Sequence, residues 1–325
     1  MSKDETNEVE AAFVWIPGQG IDEAASLRLR HRYPRPSQPM GEAWFMGKER
    51  GTFGELPKRE AVDLSWSELS FPLFEAMTGA QNFGDLKQER NEWESWFFYY
   101  LAHYTSPQHF DANPMWVTGF VLFFPDSRHV REHDSQFLPD VLATLGRVIL
   151  EPRFWTKGEI NITREVDDTS STRYLFCDYQ TTNDLFSASM FMCWKYLHPE
   201  QIETWFGSVL EVQSAHWRAQ LLLWLLGVWP LLNREATLIT QLKGRKPNVQ
   251  WEDSWLLDGF YNGYPHNPEP EAFLHEENIE ALRNAIQKHI TLELFFTWLD
   301  SFEQNEHLHY QVLGLSELFF EKFIA

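Results

Sequence analysis

A chain of 325 residues that is 43% hydrophobic, with 15 Trp and 26 Phe, has enough apolar surface for a sizeable core, which excludes wholesale disorder. Its 27 basic and 47 acidic residues leave a formal net charge of −20. That field opposes binding to nucleic acid or to an anionic membrane, because both depend on neutralising phosphates. It attracts basic proteins, or it simply keeps the surface solvated; composition alone leaves both readings open.

Residues 1–12 are polar and acidic and read as a frayed tail. From Phe13 to about Asp63 the chain is punctuated by Pro17, Gly18, Gly20, Pro34, Pro36, Pro39, Gly41, Gly47, Gly51, Gly54 and Pro57. Breakers at that density predict an irregular amino-terminal arm over residues 1–63, without a long helix and with short strands at most. Inside it lies a basic cluster, Arg28, Arg30, His31, Arg32 and Arg35. In so acidic a chain, these side chains are expected to tie the arm to the protein's own carboxylates. The alternative, an RNA-binding stripe, is opposed by the surrounding charge.

Helical patterning begins near Ser65 and sets a helical domain over residues 64–325, with a subdivision near 243–270 left open. Leu69, Leu73, Phe74 and Met77 mark a first helix to about Thr78. Trp93, Trp96, Phe97, Tyr100 and Leu101 give a second, from Asn91 to Tyr104, a broad apolar stripe. Met115 to Phe124 is nearly continuous apolar sequence, either a buried helix or a strand. Gln136 to Leu150 reads as a helix, and residues 151–182 as a loop that has room for a short hairpin.

The clearest organisation runs from Asn183 to Leu232. Asn183 and Asp184 can cap a helix through Leu197, Pro199 suits the first turn of the next, and Ser214 can cap a third. That third helix is apolar nearly all round from Leu221 to Trp229, so it must be covered on every side. Its greasiest run, Ala219 to Leu232, is about 14 residues long. A membrane span needs about 20, so this is a core helix. After a Pro/Gly-rich break, helices are predicted from about Glu271 to Lys288, from Leu292 to Phe302 and from His309 to Phe323. Short links between such helices force them to double back. The fold class is therefore mainly α, stacked helical hairpins in a degenerate HEAT-like solenoid or a layered bundle, behind the irregular arm.

The chemistry-bearing motifs are few. Phosphate-cradling glycine loops, a nucleophile elbow and a zinc knuckle are all missing, and no cofactor is expected. His129-Val130-Arg131-Glu132-His133 fits H-x-x-E-H, in which two imidazoles one turn apart hold zinc and a carboxylate activates water. It follows Pro125-Asp126-Ser127 and lacks an apolar face, so a solvated link competes with a metal site. His307 and His309 alternate ahead of a helix and read as its start, and Asp167-Asp168 as a loop pair. Cys177 and Cys193 have apolar neighbours and read as free thiols in a reducing compartment. The amino terminus lacks the basic start and apolar run of a signal peptide, and the expected location is cytoplasmic.

Residues 268–325 hold eleven acidic residues against three basic. Glu269, Glu271, Glu276, Glu277 and Glu280 cluster at one helix start, where the dipole tolerates them. Nearby, Trp251, Glu252, Asp253 and Trp255 interleave aromatic rings with carboxylates, as do Phe260, Tyr261 and Tyr264 beyond them. These nine acidic and tryptophan positions are the candidate partner-binding residues, because protein interfaces use aromatic anchors ringed by charge. A solvated helix start and buried aromatic plugs would produce the same pattern.

The stretch His216-Trp217-Arg218-Ala219-Gln220-Leu221-Leu222-Leu223-Trp224-Leu225-Leu226, with the helix from Pro199 before it, resembles a helical hairpin of HEAT-like repeat proteins. With its acidic, Trp-rich character, the chain is similar to the immunity proteins of bacterial interbacterial-toxin systems. That resemblance implies a protein that plugs or clamps a cognate toxin, often a basic nuclease, inside the producing cell, and it carries over no site residue. Three functions are thus weighed: a non-enzymatic binder of a basic protein, a metal-dependent hydrolase using His129, Glu132 and His133, and a structural subunit of a larger assembly.

Overall fold

The computed structural model describes residues 15–16, 18–40, 51–82, 87–109, 136–155, 160–166, 173–179, 190, 193–233 and 275–324. Within the arm, helix α1 (Glu23–Arg32) corrects the expectation of an irregular segment. The breakers bracket this helix. Gly18 and Gly20 take φ of 74° and 77° before it, a region closed to most side chains, and Pro34 and Pro36 follow it. Asp22 caps it, its Oδ1 accepting from the Ala24 and Ala25 N–H groups at 2.8 and 3.0 Å. Arg30, His31 and Arg32 fill the last turn, where the dipole favours cations. Beyond it come 3-10 turns at Gly51–Lys58 and Ala61–Asp63, and the arm shows no strand among its described residues.

Helix α2 (Trp66–Asn82) starts with a capping box. The Ser65 N–H donates to Glu68 Oε2 at 2.9 Å and the Glu68 N–H returns to Ser65 Oγ at 3.4 Å. Helix α3 (Lys87–Tyr104) lies against α2, with Trp93, Trp96, Phe97, Tyr100 and Leu101 all buried as their spacing predicts. Helix α4 runs as Phe137–Val141, a π turn Leu142–Gly146 and Arg147–Ile149. The π turn presents the Ala143 carbonyl to the Asp22 N–H of the arm at 3.0 Å. Tyr33 stacks on Phe98 at 4.9 Å and meets Phe137 edge-on at 5.6 Å, so one aromatic cluster joins arm, α3 and α4.

A 3-10 turn, Pro152–Trp155, leads to strands β1 (Ile160–Val166) and β2 (Arg173–Tyr179), an antiparallel ribbon with Ile160 opposite Tyr179. Of the helix expected to end at Leu197, Met190 and residues 193–196 are described and helical. The remaining helices are α5 (Pro199–Leu210), α6 (Ala215–Leu232), α7 (Glu276–His289), α8 (Leu292–Phe302), α9 (Glu306–Leu313) and α10 (Ser316–Phe323). Helix α7 starts later than the expected Glu271, because His275 at its N-cap position is extended (φ −69°, ψ 141°). The single helix expected over His309–Phe323 is two, parted at Gly314, a poor helix former.

Helix α6 is the central rod: every residue from Trp217 to Leu226 is buried. Trp15 of the arm stacks on Trp217 at 5.3 Å, and Phe323 of α10 lies 5.1 Å from Trp229. Helices α7 and α8 also pack on it. Two polar side chains share the rod's burial, and one, Arg218, is satisfied by the Val212 carbonyl at 3.1 Å and Gln213 Oε1 at 2.6 Å. Helices α5 and α7 run in the same direction. Asn278, near the start of α7, bonds the Trp194 and Leu197 carbonyls at 2.8 and 2.9 Å, whereas His289 at its end faces Phe206. Helices α5 and α7 thus lie side by side, and the described molecule is mainly helical with one core.

Candidate functional site

Charge is handled differently in the two halves of the chain. Residues 1–63 hold nine basic and eleven acidic residues, and Glu55 and Glu60 there, with Glu68 of α2 and Asp140 of α4, pair with cations. Asp140, whose side chain is 1% exposed, accepts from Arg28 Nη2 and Nε at 2.6 and 3.1 Å and from Arg32 Nη1 and Gln136 Nε2 at 3.4 Å. Arg35 pairs with Glu60, donates to the Pro57 carbonyl at 2.8 Å and sits 5.6 Å above the Trp96 ring. The basic cluster therefore ties the arm to the protein's own carboxylates, as the sequence leads one to expect. Arg59 pairs with Glu68 at 2.7 Å, and the Ser65 backbone with Arg59 holds that carboxyl at about 2.

Around the Arg35–Glu60 pair, Tyr99 donates its hydroxyl to Glu60 Oε2 at 3.1 Å and accepts the Ala61 N–H at 2.9 Å. The Arg35 bond, and then Tyr99, lower the Glu60 carboxyl, while burial raises the Tyr99 phenol. His103, edge-on to Tyr99, is held at about 4 by burial and by nearby Arg30. An open groove of about 560 Å³ runs between the Arg32–Gln38 strap and Ser95–Phe98 of α3. Its two arginines are those already engaged by Asp140 and Glu60, so it offers no ready cationic site for an anion.

The carboxyl-terminal layer differs. Glu276, Glu277 and Glu280 stand exposed at the start of α7, on the far side from buried Ile279, Leu282 and Ile286. Two of the layer's three cations are already engaged: exposed Lys288 pairs with Glu203 of α5, and Arg283 Nη1 donates to the Leu232 carbonyl at 3.3 Å. Among the described residues, Glu277, Glu280, Glu293, Asp300, Glu303 and Glu321 take part in no ion pair, and all six are exposed. Glu269, Glu271, Trp251, Glu252, Asp253 and Trp255 lie outside the described residues, as do Phe260, Tyr261 and Tyr264, so three of the nine predicted partner-binding positions are placed.

Exposed aromatic surface also occurs outside the predicted partner-binding positions. On α8, Phe295, Trp298, Leu299 and Phe302 fill one stripe and are buried, which leaves Leu292 and Phe296 at 40% and 51% exposure. On α9, Tyr310 is 72% exposed and Leu313, on the same side, 41%. The signal was present: Leu292-Glu293-Leu294-Phe295-Phe296 holds more apolar residues than one helical face can bury.

The H-x-x-E-H residues His129, Glu132 and His133, and also Asp167 and Asp168, lie outside the described residues. His309 occupies the first turn of α9, capped by Asn305. Cys193 is buried and its thiol is pushed far up by desolvation, the opposite of an activated nucleophile. No group of three or more His, Cys, Asp or Glu that could hold a metal occurs among the described residues, and no described helix is long and apolar enough to cross a membrane. No protein-family model matches the chain, and neither does any curated protein or solved structure.

Proposed function

We propose that the chain is a non-enzymatic, acidic binding protein of the immunity type, which neutralises a basic protein partner such as a nuclease toxin in the cytoplasm of the cell that makes it. The observation that supports this reading is the concentration of exposed, unpaired carboxylates on α7, α8 and α10 of a layer in which two of the three cations are already engaged. Carboxylates left without internal partners keep their field available to an incoming cation. Such fields raise association rates and reject like-charged partners. Helices α7 and α8 pack on α6, and α7 on α5, which backs that surface with the core, so little ordering cost is left for the moment of binding. A HEAT-like stack of such hairpins fits the same reading.

The test is affinity capture with the full chain at low ionic strength, followed by identification of what is retained. The expected catch is a basic protein, released as salt is raised, and lost when Glu277, Glu280 and Glu293 are changed to Gln. Retention of an acidic protein, or retention indifferent to those substitutions, would contradict the reading.

A further inference from the structure

We infer that the ledge made by Leu292 and Phe296 of α8 with Phe320 of α10 seats the apolar face of a basic amphipathic segment of the partner; this rests on the binding reading above. Leu292 and Phe296 stand one turn apart on the outer side of α8. The half-buried Phe320 ring lies 6.5 Å from Phe296 and 5.5 Å from Phe295, and Phe295 stacks on buried Phe319 at 4.3 Å. The ledge is therefore floored by the core and is not a loose side chain in solvent.

Its rim is acidic from both helices. Further along the same stripe of α8 come Asp300 and Glu303, Glu293 flanks Phe296, and Glu321 follows Phe320; all four are exposed. From Leu292 to Glu303 the stripe is about 16 Å long at 1.5 Å per residue, which matches about three turns of a docked helix. An aromatic anchor with a polar rim is the anatomy of an interface hot spot, and a helix laid on an apolar strip is a recurrent way to fill one. A second copy of this chain is the wrong occupant, since its own carboxylates would face the same rim. The complementary occupant carries Lys or Arg beside apolar residues at helical spacing.

Two synthetic peptides test this on the full chain: one of Leu and Lys with Leu at i, i+3, i+4 and i+7, and an oligolysine of equal charge. The amphipathic peptide is expected to bind about tenfold more tightly, roughly what burying the exposed half of one Phe supplies. Phe296→Ser should erase that preference and leave the oligolysine affinity unchanged. Leu27→Ser, at an exposed apolar residue of α1, should leave both affinities unchanged, and far-ultraviolet melting checks that both variants fold. If both peptides bind equally, or if the preference survives Phe296→Ser, the ledge is wrong and the acidic reading stands. If neither peptide binds at low salt, both fail.

Discussion

Buried tryptophans in this protein are of two kinds. Trp217 Nε1 donates to the Val209 carbonyl at 3.0 Å, in the last turn of α5, where the helix itself leaves carbonyls unpaired. Trp194 does the same for the Asn278 carbonyl at 2.7 Å. Trp205, Trp224 and Trp298 are just as buried, yet their indole N–H groups meet no acceptor. Trp217→Phe removes ring volume and a hydrogen bond, and strands an acceptor; Trp205→Phe removes similar volume and an N–H that was already unpaired. Urea unfolding should therefore find Trp217→Phe the costlier by about 1–2 kcal/mol, and equal losses would show that the indole bond contributes nothing. His103 gives a second residue-level expectation. Its folded value, about 4, lies below the ordinary 6.5, so the unfolded chain takes the proton first. Its contribution to stability is intact above about 6.5 and is lost as pH falls towards 4, then levels off. His103→Gln should flatten that part of the stability–pH curve; an unchanged slope would remove His103 from the account.

Helices end and begin for reasons that local chemistry states clearly in some places and not in others. The spans Pro199–Leu210 and Leu292–Phe302 follow from Pro at a first turn, Thr291 as a cap and a continuous apolar stripe. Helix α1 was hidden because its neighbours Gly18, Gly20, Pro34 and Pro36 read as interruptions, although Asp22 ahead of an alanine pair is an ordinary helix start. The Ser65–Glu68 capping box is likewise written in the sequence, as S-x-x-E. Spacing alone does not decide which of two apolar stripes on α8 faces inward, since that depends on α6 packing against it and on the Phe295 contacts with Phe319 and Phe320 of α10. One position inside α5 offers a clean substitution. A Cβ at Gly207 would meet no atom within 4 Å, and its φ is not in the left-handed region. Gly207→Ala should stabilise the protein by about 0.5–1 kcal/mol, since alanine loses less backbone freedom in a helix. A lower midpoint in urea would mean that the space around Gly207 is not open.

Over the whole molecule, charge divides function from structure. In the arm and against α3 and α4 it acts as a fastener, with Arg28, Arg32 and Arg35 each engaged by a carboxylate. That role was legible, because a basic cluster in an acidic chain has carboxylates close at hand. In the carboxyl-terminal layer the surplus is left outward, and the sequence located it through Glu276, Glu277 and Glu280. It did not locate the aromatic ledge beside it, because exposure is decided by distant helices and not by spacing. On the proposed reading, the position of these carboxylates, and not total charge, makes the docking surface. The most direct test measures oligolysine affinity at low salt for two variants of equal net charge. One carries Glu277→Gln, Glu280→Gln and Asp300→Asn; the other carries Glu23→Gln, Glu55→Gln and Asp63→Asn. The first should bind about tenfold more weakly and with a shallower salt dependence, and the second should match the unaltered chain. Equal losses in both would mean that the peptide senses only the −20 net charge, and that no docking surface exists.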